Sequence, residues 1–139
     1  MQIKTAEIDD LNNIAFEIIK KAGKRKVILF YGEMGGQVGD TGTLTTEDGT
    51  VYSVYDTQVK NGIYLHLVKT KETLKGAVSL KVDLNRRLSI QRHHSATHLL
   101  NWALRSSLGT HIQQAGSHVS GNRLRFDFSH FEALDRKTL

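Results

Sequence analysis

The sequence predicts an α+β fold: a small β-barrel or open sandwich, then a helix and further strands. Three observations carry this. Between residues 27 and 83, short runs rich in β-branched and aromatic residues recur, punctuated by glycine turns. After Asp83 the apolar period becomes helical, with Ala96, Leu99, Leu100, Ala103 and Leu104 forming a stripe that Gly109 ends. Two more strand-like runs, "HIQQAGSHV" and "LRFDFSH", follow that helix.

Residues 1–26 read as an amphipathic helix and connector. Ile8, Leu11, Ile14, Ala15, Ile18 and Ile19 recur at steps of three and four, with acids early, bases late, and Gly23 as the stop. Residues 27–83 form the glycine-rich, barrel-like subdomain. It opens with "KVILFY", and Asp48-Gly49 and Asn61-Gly62 supply hairpin turns. In "AVSLKVD", Val78, Leu80 and Val82 face one way. His66 lies in the "IYLHLV" strand and reads as a surface or internally satisfied histidine. Residues 84–139 form the second subdomain, with turns at Gly116 and Gly121-Asn122, and "EALDRKTL" opens a further helix.

The chain has 139 residues, enough to bury a real core, and its 39% hydrophobic and 24% charged content suits a soluble protein. No run is long and apolar enough for a membrane span, and no targeting segment is visible. With no cysteine, disulfides and cysteine-based metal sites are excluded within these residues. The net charge of +5 suits a polyanionic partner without identifying one.

Five glycines crowd "FYGEMGGQVGDTG". Such density permits positive φ and close backbone approach. A phosphate-binding loop is disfavoured, because the Walker spacing and its lysine are missing and a strand, not a helix, follows. The loop reads instead as a wall that shapes a pocket.

His94 and His98, four apart on the helix, project from one face and can converge on one cation. Packing histidines with polar tips are the alternative. Ser95 stands where a zinc protease has its glutamate base, which argues against that enzyme class.

Three motifs, "FYGEMGGQVGDTG", "RRLSIQRHHSATHLL" and "LGTHIQQAGSHVSGNRLRFDFSHFEAL", stand in this order. Together they resemble the editing domain of alanyl-tRNA synthetases across residues 27–139. Free-standing trans-editing proteins share the pattern, and threonyl-tRNA synthetase editing domains are more distantly similar. The resemblance implies a small β-barrel followed by an α+β editing unit, here cut short at its C-terminal end. It implies zinc as cofactor, with His94 and His98 as ligands, and a pocket bordered by Gly35, Gly36 and Gln37. The family completes its metal site with a later CxxxH motif that this chain lacks. His111, His118 and His130 stand where the family places no ligands, and His93 points off the other side of the helix.

The implied activity is hydrolysis of seryl- or glycyl-tRNA(Ala). An alanine pocket cannot reject glycine by size, and an added hydroxyl is rejected by roughly a hundredfold or less. Gln37 and Thr97 are the candidate catalytic residues, polar lining groups for recognising the extra hydroxyl. Arg86, Arg87 and Arg92 are candidates for the phosphates of the tRNA acceptor end; ion pairs with the domain's own acids are the equal alternative for Arg86 and Arg87. The implied partners are the tRNA and the remainder of a cytoplasmic parent synthetase, with self-association a further expectation and no membrane involved. The competing class is a tRNA-binding or docking module without catalysis.

Overall fold

The computed structural model describes the backbone of residues 3–7 and 14–18, and residues 30–135 in full. The elements run β1 (Ile3–Glu7), β2 (Ile14–Ile18), β3 (Gly42–Thr46), β4 (Val51–Lys60), β5 (Ile63–Val68), β6 (Val78–Val82), α1 (Leu84–Leu108), β7 (Gln114–Val119) and β8 (Leu124–Phe128). The chain divides into two units, residues 1–34 with 38–87 and residues 35–37 with 88–139. Mixed α+β architecture is therefore as expected.

The first unit holds a six-stranded antiparallel sheet of order β1-β2-β5-β4-β3-β6. It is open, not a closed barrel: among the described residues β6 pairs with β3 alone. Closure would require β6 to meet the other edge strand. Instead the chain leaves β6 at Val82 and enters a helix at Leu84.

The helix expected over the N-terminal segment is also corrected. Residues 3–7 and 14–18 are strands, and β2 pairs along β5 from Ile14↔Val68 to Ile18↔Tyr64. "IAFEI" fits a period of two as well as one of 3.6. Isoleucine and phenylalanine suit a pleated surface, and the edge of β5 supplies the ladder. Ile8, Leu11 and Ile19 lie outside the described residues, as do Val27, Ile28 and Leu29 of "KVILFY".

Both hairpin turns are where the sequence puts them. Gly49 has φ +86°, and Asp48 Oδ1 accepts from Thr46 Oγ1 at 2.5 Å and Thr50 N at 2.9 Å. Those donors, Thr46 first, hold the Asp48 carboxyl below its usual value. Asn61 and Gly62 both take positive φ, 52° and 77°, the geometry of a type I′ turn. Phe30, Leu44, Val54, Val68 and Leu74 form the buried cluster of this unit, with Leu80 and Val82 packed against it.

A register shift between Val54 and Asp56 resets the phase of β4. Strict alternation would send positions 54, 56 and 58 inward; with the bulge, Val54 and Thr57 are the buried residues.

Asp83 caps α1: its Oδ1 accepts from Arg86 N at 3.0 Å and its carbonyl from Arg87 N at 3.0 Å. At the other end Gly109, φ +115°, donates its N–H to Arg105 O at 3.1 Å, a left-handed cap. The expected boundaries hold, but the buried face does not. Ile90 and Thr97 are the buried side chains, on a row that includes the half-buried His93, Asn101 and Leu104. Leu99 and Leu100 of the expected stripe are exposed, as is Trp102.

Beyond α1, β7 and β8 form a two-stranded hairpin around Gly121-Asn122, as expected. Gly116 is not a turn; it sits at a register shift inside β7. Glu132–Asp135 are irregular, not helical, and residues 136–139 lie outside the described part.

Candidate functional site

His94 and His98 stand on consecutive turns of α1, both exposed, with ring centroids 5.0 Å apart and planes tilted by 40°. The convergence expected from their spacing is present. His93, one residue away, turns aside and places Nδ1 2.7 Å from Ser120 O.

Gln37 reaches the pair from the glycine-rich loop. Its Oε1 lies 2.6 Å from His94 Nδ1. The loop is fastened to β7: Val119 N donates to Gly36 O at 2.7 Å, and Gln37 forms an isolated parallel bridge with Val119. Gly36 has φ +82°, and a Cβ there would overlap the Ser117 carbonyl and come within 2.7 Å of Ser117 Oγ. Only glycine passes this point unstrained. Gly35, φ +61°, is also left-handed, but faces open space.

Thr97 does not belong to this face. It is buried, and its hydroxyl donates to His93 O at 2.8 Å, four residues back in the same helix. A hydroxyl engaged in this way is no lining group for a pocket beside His94.

In the first unit, Arg86 and Arg87 hold the far end of the glycine-rich loop. Arg86 Nη1 donates to Gly39 O at 2.7 Å. Arg87 forms an ion pair with the buried Asp40, donating from Nε at 3.0 Å and also from Nη2, while Tyr31 N donates to the same carboxylate at 2.6 Å. Of the two readings open for these arginines, the internal one is what the geometry shows for Arg87. Arg92 is exposed and donates to Ser89 Oγ at 2.8 Å.

Two histidine arrangements escape sequence reasoning. His66 is fully buried in β5, opposite Thr57, with Nδ1 3.3 Å from Thr57 Oγ1 and Nε2 without a partner. Thr57 Oγ1 donates to Asp40 O at 2.9 Å, so its lone pair is free to accept from an Nδ1–H of His66. Burial pushes the His66 imidazole down to about 4. Elsewhere, His111 Nε2 and His130 Nδ1 lie 2.9 Å apart, and Phe131 stacks on His111. Nothing in the sequence spacing links residues 111 and 130; the β7–β8 hairpin brings them together.

As a metal centre, His94 and His98 offer the right chemistry, since zinc takes neutral imidazole nitrogen. With Nδ1 of His94 turned to Gln37, its Nε2 is the available donor. No group of three or more His, Asp or Glu side chains assembles here or elsewhere among the described residues. The pair therefore fits as two ligands of the usual four. A shallow depression lined by Thr41, Thr43, Lys81 and Asp83 contains none of the candidate residues.

The arrangement is a helix-borne histidine pair, one ring hydrogen-bonded to a glutamine from a glycine-rich loop, within an α+β fold. Comparison with known proteins finds relatives of this sequence. The chain is 54% identical over 111 residues, 79% of its length, to the alanine–tRNA ligase of Salinibacter ruber. It is 48% identical over 86% of its length to that of Chromohalobacter salexigens, and 45% identical over 91% to that of Wolbachia pipientis wMel. No family model matches the chain. It spans 11%, 14% and 15% of these relatives' own lengths. Over 79–91% of its length the chain is thus similar to one segment of the alanine–tRNA ligases.

Proposed function

We propose that this chain is the proofreading segment of an alanine–tRNA ligase, hydrolysing the ester of seryl- or glycyl-tRNA(Ala) at a site built on His94 and His98. The observation that carries the reading is the placement of the two imidazoles side by side with Gln37 bonded to one of them. Hydrolysis needs a water oxygen to add to the ester carbonyl and the terminal ribose hydroxyl to leave. Zinc, when bound, supplies a Lewis acid that polarises the carbonyl or acidifies the water.

The chain's own residues do the positioning. His94 and His98 offer their free nitrogens from a rigid helix, and Gln37 holds His94 in place. Arg92, exposed two residues before His94, meets the phosphates of the acceptor end. The substrate tRNA and the remainder of a cytoplasmic parent synthetase complete this reading.

One observation favours a second reading, a tRNA-docking module without hydrolysis: the described residues bring only two metal donors together. A deacylation assay with seryl-tRNA(Ala) separates the two. The full-length parent hydrolyses the ester, and the His94→Ala, His98→Ala double variant loses at least about a hundredfold, the scale of a removed catalytic group. Undiminished hydrolysis by the double variant defeats the proposal.

A further inference from the structure

The geometry points to a tautomer lock: Gln37 acts as a positioning residue that keeps the proton of neutral His94 on Nδ1, leaving the Nε2 lone pair to serve as the donor beside His98. The proposal rests on the reading of His94 as a metal-binding group.

A carbonyl oxygen can only accept. With Gln37 Oε1 2.6 Å from His94 Nδ1, that nitrogen must carry the hydrogen, and in neutral imidazole the other nitrogen is then bare. A free imidazole has no such constraint, so without the glutamine His94 divides between its two tautomers. The loop that carries this acceptor is held in place: Val119 N donates to Gly36 O, and the tight passage at Gly36 leaves no room for a side chain. Among the described residues the neighbouring His98 has no such acceptor, so the pair is asymmetric. Outer acceptors of this kind orient histidine ligands and raise their basicity. The carbonyl of Gln37 is thereby engaged by the protein itself, which makes it a positioning group.

Long-range proton–nitrogen NMR on 15N-histidine-labelled protein reads the tautomer directly, in metal-free protein at a pH where imidazoles are neutral. Wild-type His94 is expected as the Nδ1–H form. Gln37→Leu moves it toward Nε2–H, and Gln37→Glu, which keeps the acceptor, restores Nδ1–H; unchanged backbone amide spectra show that the variants are folded. Cobalt(II) titration then shows Gln37→Leu binding about 10–100-fold more weakly than wild type. An Nε2–H His94 in wild type, or a tautomer indifferent to Gln37→Leu, overturns the inference. A locked tautomer without cobalt binding in wild type supports the lock and removes the metal reading instead.

Discussion

His66 shows how much one buried polar side chain depends on its neighbours. Its folded value of about 4 lies below the 6.5 of a free imidazole, so the unfolded chain takes up the proton first. Stability that is intact above pH 6.5 is therefore lost as pH falls toward 4, by about 3 kcal/mol in total. Urea unfolding across that window should show the loss in wild type, and His66→Leu should remove that part of the slope. An unchanged slope in the variant would place the titration elsewhere. The bulge near Asp56 matters here too, since it turns Thr57 inward to meet the ring. The lone histidine in "IYLHLV" was legible as internally satisfied or exposed; that it is buried with one nitrogen unpartnered was not.

At the level of elements, α1 departs most instructively from its pattern. Its ends were legible because Asp83 and Gly109 act locally, through hydrogen bonds within four residues. Its buried face was not, because the inward row mixes Ile90 and Leu104 with the polar His93, Thr97 and Asn101, and His93 finds its partner in Ser120, distant in sequence. Substitutions separate the two faces. Ile90→Ala should cost about 2–5 kcal/mol, while Leu99→Gln and Trp102→Gln should each stay within about 0.5 kcal/mol. Circular dichroism in urea is the measurement, since Trp102 is the single tryptophan and its loss removes the fluorescence signal. Equal losses on both faces would contradict the burial described. The exposed Leu99, Leu100 and Trp102 give the self-association expected from sequence an apolar surface, which sedimentation of the purified chain tests.

For the whole molecule, the number of metal donors brought together decides what the chain can do alone. Two imidazoles bind zinc weakly, because ligand count sets both affinity and geometry. Metal analysis of the purified chain should find zinc well below one equivalent, and His94→Ala should abolish whatever binds with histidine dependence. A full equivalent would require further ligands from outside the described cluster. No helix among the described residues is long and apolar enough to cross a membrane.

The sequence by itself determined what acts within a few residues: both hairpin turns, the ends of α1 and the convergence of His94 and His98; it also carried the likeness to alanine–tRNA ligases. Spacing along a helix or across a turn fixes such relations without the rest of the chain. Only the tertiary structure decided that the sheet stays open, that residues 14–18 extend it, that Thr97 faces inward, and that Gln37 reaches His94 at a sequence separation of 57. These depend on which surfaces meet, and a pattern compatible with both helix and strand is resolved only by the edge or loop that receives it.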